Sequence, residues 1–255
     1  IAAMLGLPLS EVPFFAARVS TVARAVLPVY PLDDHDRIET AAFELCAYVE
    51  DHLLSRLDQP RVDLLSRIVT DWSAKRELTF ESLVNQVVGM IIGGTDTTRA
   101  GFAMLVAHLL RHPDAWEAVK ADPALIPGAV AEGLRFDPSV GSIARFTATE
   151  VEIAGTAIPA GSLVRVSTLS AMRDPALYAH PDRFDIRRTD HPRLHVAFGE
   201  GPHRCIGEML ARIEMQQGLA ALIAGAPDLI LETTPHLVGF GGIRQITAMR
   251  TRLPA

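Results

Sequence analysis

Cys205 lies in the stretch Phe198 to Glu214, FGEGPHRCIGEMLARIE, where Gly199, Gly201 and Gly207 surround one sulfur and an amphipathic pattern begins just beyond it. Glycine permits positive φ and close backbone approach. A cysteine entering a helix N-terminus meets unsatisfied N–H groups and the positive end of the helix dipole, and both favour thiolate. Three chemistries stay open for such a sulfur: a metal or haem ligand, a reactive nucleophile, or an inert buried thiol. Zinc would need further ligands, and only His203 is near, without any CxxC pair. No G-K-[ST] follows the glycines and no clear strand leads into them, so neither a Walker A loop nor a dinucleotide loop is formed.

A second candidate is GGTDTT, Gly93 to Thr98. One reading makes the two glycines a packing notch with a solvated Asp96. Another lets them bring the backbone close to a ligand, while Asp96 and Thr97 set an acid beside an alcohol where a loosened helical ladder can hold water. Thr98 points elsewhere around the helix and reads as structural. Glu132 and Arg135 are three apart in EGLR and share a helix face, which by itself describes an ordinary surface ion pair.

These residues need elements to hold them. Leu83 to Leu110 is the most apolar stretch, but Asn85, Gln86, Asp96 and Arg99 interrupt it, which fits a buried helix beside a polar pocket better than a lipid-facing one. Thr79, Glu81 and Ser82 open that helix, and it ends near His112-Pro113 at more than 25 residues. Before it, helices are expected from Ser10 as cap, from about Asp33 to Leu57, and over VDLLSRIVTDW; after it, from Pro113 to Val119 and from Pro127 to before Pro138. Strands are expected at Val151 to Ile153, around Ile158, over LVRVSTLS, and from Leu229 onward, with an irregular loop from Arg173 to Gly201. The helix after Cys205 carries apolar positions at Ile206, Leu210, Ile213, Leu219 and Leu222. No composition break marks a domain boundary.

At 255 residues the chain is long enough for a substantial core, and 49 % apolar with 21 % charged content excludes disorder and a coiled-coil rod. A net charge of −6 supplies no overall field for nucleic acid or anionic lipid. Two cysteines far apart argue against a disulfide scaffold and for a reduced, cytoplasmic setting, and the opening IAAMLGLPLSEVP does not read as a signal peptide.

Taken in order, GGTDTT, EGLR, HPDRF and FGEGPHRCIG resemble the cytochrome P450 family. The resemblance implies a mainly α fold with small β-sheets, the cytochrome P450 fold, with residues 1–255 forming a partial domain whose N-terminal portion is absent. It implies haem b with Cys205 as axial thiolate ligand, in a frame of Phe198, Gly199, His203 and Gly207, and Arg145 and His195 as propionate partners. Asp96 and Thr97 become the oxygen-activating pair, Thr97 as the alcohol and Asp96 as its link to a proton supply. Glu132, Arg135 and Arg183 become a structural lock that positions the cysteine loop. Met90, Ile91, Gly94, Val140, Gly141, Ile143 and Phe240 become the substrate wall. Arg204 and Arg212 would lie on the surface that attracts an acidic electron carrier. Met172 stands where the family commonly has Asn before R-D-P.

The activity implied is that of a soluble bacterial monooxygenase oxidising an apolar small molecule with dioxygen. Electrons come from a separate ferredoxin- or flavodoxin-like protein, with no nucleic acid and no membrane involved. The other function class is a truncated, noncatalytic partner or scaffold whose open sheet edge is covered by a missing N-terminal segment or another chain.

Overall fold

Residues 38, 41, 45, 49, 53 and 56 all turn inward on one helix, the i, i+3, i+4 stripe that makes a helix bury one face. The computed structural model in which they do so describes residues 1–26, 32–191, 196–239 and 243–254. Within it the chain divides into two compact units, Ile1–Asp96 and Thr97–Ala255.

The first unit is helical. It contains α1 (Ala2–Leu5), α2 (Val12–Val22), α3 (His35–Asp58), α4 (Leu64–Lys75) and the first half of α5 (Phe80–Arg111). Its core joins Phe15 and Val19 of α2, Leu45, Val49 and Leu53 of α3, Leu65 and Val69 of α4, and Val84, Val87 and Ile91 of α5. Ser10 does not cap α2. It lies in a 3-10 turn, Leu9–Glu11, and the helix starts on Val12 with Pro13 in its first turn, where the missing N–H costs nothing. Asp63 caps α4 by accepting from the Ser66 N–H at 2.7 Å.

One arginine was not singled out on sequence. Arg56 is buried in α3, where it donates to Asp63, to the Gly6 carbonyl at 2.6 Å, and to His52 Nδ1 at 3.0 Å. It thereby ties the start of the chain to the α3–α4 corner.

Helix α5 starts as expected. Thr79 Oγ1 accepts from the Ser82 N–H at 3.1 Å, and the helix continues for 32 residues, about 48 Å at 1.5 Å per residue. The division between the units falls within it, between Asp96 and Thr97.

The second unit packs the end of α5 with α6 (Pro113–Ala121), α7 (Ile126–Phe136) and α9 (Glu208–Gly225) around Leu105, Leu109, Trp116, Val130, Leu134, Phe184, Met215 and Leu219. Antiparallel pairs surround this core. β1 (Ser142–Phe146) pairs with β4 (Leu163–Ser167), and β2 (Val151–Ile153) with β3 (Thr156–Ile158). At the C-terminus β5 (Ile230–Leu231) pairs with β8 (Thr251–Arg252), and β6 (Leu237–Val238) with β7 (Gln245–Ile246). The short α8 (Thr168–Ala171) follows β4, and Arg173 to Gly201 is irregular apart from a 3-10 turn among the described residues. Strand β1 was not foreseen, because SIARF does not alternate cleanly between apolar and polar residues. On α9, Met215 and Leu219 face the core, while Ile213 is exposed and Ile206 precedes the helix at 95 % exposure.

Candidate haem-thiolate site

The cysteine loop is shaped by two backbone positions that only glycine adopts without strain. Gly199 and Gly201 have φ of 76° and 81°. They fold the chain so that the Cys205 N–H donates to the Phe198 carbonyl at 2.9 Å and the Arg204 N–H to the Gly201 carbonyl at 3.0 Å. Cys205 is exposed, and its carbonyl accepts from the Glu208 N–H at 3.4 Å where α9 begins, with Gly207 as N-cap. Phe198 packs against the second unit's core and lies beneath the Arg212 guanidinium, 5.0 Å from its ring centre.

Arg204 and Arg212 do not stand as unanswered surface cations. Both pair with Glu208, at 2.6 and 3.1 Å, and Arg204 also donates to the Gly199 carbonyl at 2.7 Å. They brace the loop. His203 is exposed beside it.

This loop suits a single-sulfur ligand. Among the described residues no group of three His, Cys, Asp or Glu side chains could hold a metal ion. The iron of a porphyrin brings most of its ligands with it and asks the chain for one sulfur, which Cys205 could supply. A Cβ at Gly199 or Gly201 would meet nothing within 4 Å, and Ile206 is exposed, so the loop leaves room for an apolar group to approach it.

Spacing alone describes Glu132 and Arg135 as a surface pair, but the fold seals both inside. Glu132 and Arg135 are both 0 % exposed, and the guanidinium spans the carboxylate at 2.7 and 2.9 Å. Arg135 further donates to the carbonyls of Met172, Pro181 and Arg183, at 2.9, 2.7 and 3.1 Å, and the Asp185 N–H donates to Glu132 at 2.8 Å. The irregular segment thus hangs on one buried pair.

The third member of the lock is Arg188, not Arg183. A turn at His180–Arg183 faces the Arg183 carbonyl towards Arg135 and leaves its side chain exposed, whereas Arg188 Nε stands 3.4 Å from Glu132 Oε2. Arg188 also donates to the Ala179 carbonyl at 2.7 Å and pairs with Asp190 at 3.0 Å. The available signal was the second basic pair, Arg187-Arg188, but sequence order does not say which guanidinium a turn sends inward. His191 Nε2 lies 3.8 Å from Glu132, and burial pushes its imidazole below the ordinary value of 6.5, with Arg135 and Arg188 adding to the effect and Glu132 opposing it. Met172, the departure from Asn, is fully buried, and its sulfur accepts from the Tyr178 hydroxyl at 3.6 Å.

On α5, Asp96 is buried and Thr97 half-buried, while Thr95 turns its hydroxyl back to the Ile91 carbonyl at 2.6 Å. Of the expected wall residues in the first unit, Met90 is half-buried and Gly94 lies against the Ile1 side chain. Ile91 is 0 % exposed and belongs to the packed core, so it is not a wall residue. In the second unit Val140 and Ile143 are half-buried, Gly141 is buried, and Arg145 on β1 is exposed with its guanidinium on the Ala144 carbonyl at 2.8 Å. His195 and Phe240 lie outside the described residues.

An exposed sulfur on a braced glycine loop and a buried Glu–Arg pair that gathers the irregular segment thus stand in the second unit. The cytochrome P450 family profile matches residues 34–124 and 124–224, and the chain belongs to that family. It is 38 % identical over 254 residues to the plant-inducible cytochrome P450-pinF1 of Rhizobium radiobacter, covering 99 % of this chain and 60 % of that protein. To the cytochrome P450 monooxygenase PikC of Streptomyces venezuelae it is 39 % identical over 238 residues, covering 92 % and 55 %. P450BioI, solved in complex with an acyl carrier protein carrying hexadec-9Z-enoic acid, superimposes with a TM-score of 0.92 at 26 % identity over 99 % of this chain and 65 % of that one. The chain therefore spans little more than half the length of these curated relatives. Among the described residues no helix is long and apolar enough to cross a membrane.

Proposed function

We propose that the protein of which this chain forms part is a cytoplasmic haem-thiolate monooxygenase that oxidises an apolar organic molecule with dioxygen, using electrons from a separate ferredoxin- or flavodoxin-like protein. The observation that carries the reading is the exposed Cys205 sulfur on a loop fixed by the Cys205–Phe198 backbone bond and by Arg204 and Glu208. When bound, a haem with a thiolate ligand supplies the centre at which oxygen is activated. Cys205 would be that ligand, with Phe198, Gly199 and Gly207 shaping the room beside the sulfur. Arg145, His195 and His203 would hold the propionates.

The rest of the chemistry asked of the chain is proton handling and exclusion of water. Thr97 offers a hydroxyl that donates locally without placing a permanent anion beside reduced oxygen, and Asp96 offers a carboxylate that exchanges protons. The Glu132–Arg135–Arg188 lock holds the segment before the cysteine loop and so acts on the ligand indirectly. In the second unit Val140, Gly141, Ile143 and Phe240 would present a mainly apolar wall to the substrate.

The test uses the full-length protein. Its reduced carbon-monoxide spectrum should show the thiolate-ligated Soret band, and Cys205→Ala should abolish it. Thr97→Ala should keep the band and divert reducing equivalents from product to peroxide. A stable, folded, haem-free protein bound to another chain would overturn the enzyme reading in favour of a scaffold.

A further inference from the structure

Val140, Gly141 and Ile143, expected on sequence to line the substrate wall, follow a segment that is gripped from about a hundred residues further along the chain. Arg244 makes that grip. Its backbone N–H donates to the Ser139 carbonyl at 2.7 Å, its Nη1 to the Pro138 carbonyl at 3.3 Å, and its Nη2 to Asp137 Oδ1 at 2.9 Å. Beside these bonds Val140 and Ile243 form an isolated antiparallel bridge.

The grip continues on the other side. Asp137 Oδ2 is 2.6 Å from His108 Nε2, which anchors the carboxylate to α5. Thr168 Oγ1 donates to the Val140 carbonyl, and the Leu169 N–H donates to the Gly141 carbonyl at 3.3 Å, which ties the next two residues of the segment to α8. Gly141 is required by the close approach: a Cβ there would come 2.6 Å from Arg244 Cδ and 3.2 Å from Leu169 Cδ1.

His108, Asp137 and Arg244 are all buried: both Asp137 oxygens are paired, one with His108 and one with Arg244, while His108 Nδ1 has no hydrogen-bond partner among the described residues. Burial raises the Asp137 carboxyl, but the His108 bond and the charges of His108 and Arg244 outweigh it, and the group is held below the ordinary carboxylate value. An apolar pair of equal volume would fill this space without specifying direction. The guanidinium specifies which carbonyls stand opposite it.

We propose that Arg244 is a positioning residue of the substrate pocket: through Asp137, Pro138 and Ser139 it fixes the 138–143 wall against the C-terminal hairpin and so sets which ligands the pocket admits. This rests on the haem-thiolate reading for the pocket itself, whereas the clamp stands on the bonds above. Arg244 acts through the wall and does not touch the ligand.

The experiment takes the full-length haem protein and its Arg244→Met, Arg244→Lys and Asp137→Asn variants. Two probes that ligate the haem iron are titrated by the Soret shift: imidazole, too small to reach the wall, and 4-phenylimidazole, whose ring must pack on it. Arg244→Met should bind imidazole like the parent and 4-phenylimidazole about tenfold more weakly, the effect of roughly one net hydrogen bond's worth of wall order. Arg244→Lys, which keeps the charge towards Asp137 but loses the fork, should fall between. Hydrogen exchange should quicken at residues 139–141 and 244–246 in the Met variant and less in the Lys variant.

An unchanged ratio of the two affinities in Arg244→Met, with a normal carbon-monoxide spectrum, overturns the proposal. If Arg244→Met does not fold, the same ratio in Arg244→Lys and Asp137→Asn decides it. A parent without a thiolate-type spectrum defeats the haem reading instead, and unchanged exchange at 139–141 in the variants then overturns the clamp by itself.

Discussion

Removing the guanidinium of Arg135 while keeping its bulk, Arg135→Met, isolates what the buried lock contributes. The side chain makes five hydrogen bonds, two to Glu132 and one each to the carbonyls of Met172, Pro181 and Arg183. Breaking a buried ion pair from one side costs about 3–5 kcal/mol, because the partner stays charged in a dry site. Glu132 is not wholly abandoned, since the Asp185 N–H at 2.8 Å and Arg188 at 3.4 Å remain, which favours the lower end of that range. The carbonyls of Met172 and Pro181 then lose this donor, while that of Arg183 keeps Arg188 at 3.3 Å, at about 1 kcal/mol for each lost bond that water does not replace.

The expected total is about 4–6 kcal/mol, a large share of the roughly 5–15 kcal/mol that holds a domain together. Arg135→Lys should lose about half as much, because an ammonium has three donors for the five acceptors. The assay is urea unfolding of the full-length protein followed by far-ultraviolet circular dichroism, with hydrogen exchange over residues 172–191 as a local readout. Combining Arg135→Met with Glu132→Gln should cost less than the sum of the two single changes by about 1–3 kcal/mol, since each removes the other's stranded charge. A loss below about 1 kcal/mol, the range of exposed pairs, would refute the argument, as would strict additivity in the cycle.

Asp63→Ala removes both the α4 cap and the partner of the buried Arg56, so it should destabilise by about 3 kcal/mol or more, whereas Asp63→Asn should retain part of the cap; thermal unfolding of the pair separates the two contributions. Gly201→Ala meets no steric contact but is forced to φ 81°, so it should cost about 1–2 kcal/mol and broaden the carbon-monoxide Soret band by loosening the sulfur; a stability equal to the parent's would show that the loop relaxes freely. For His191, whose folded value lies below 6.5, the unfolded chain binds the extra proton, so stability is complete above about 6.5 and falls as the pH drops below it, by at most about 1.4 kcal/mol per pH unit. His191→Gln should flatten the urea midpoint between pH 7 and 5.5, and an unchanged slope would exclude this residue as its source.

What could be read from the residues depended on whether the signal was local. The start of α5 was legible because Thr79 and Ser82 lie within one turn of each other, and Cys205 because glycine at 199 and 201 announces a backbone that ordinary residues avoid. The lock shows where locality ends. Glu132 and Arg135 declare themselves by a spacing of three, but the arginine that completes the set is chosen by a turn 50 residues later, where the Arg183 carbonyl and the Arg188 side chain exchange the roles that sequence order suggests. Burial was equally out of reach: the same E-x-x-R spacing describes a solvated pair worth little, and only the Met172, Pro181 and Arg183 carbonyls converging on Arg135 make it a fastener. Ile91 fails in the opposite sense. Its place one residue beyond Met90 on the long helix suggests a wall, yet the helix turns about 100° per residue and sends it into the core. The His108–Asp137–Arg244 chain gave no signal at all, because its members are spread over more than a hundred residues and each is an ordinary surface type until the fold buries them together. Residues that act through partners distant in the chain are thus the ones a motif cannot report, and in this protein they are the residues that hold the wall and the cysteine segment in place.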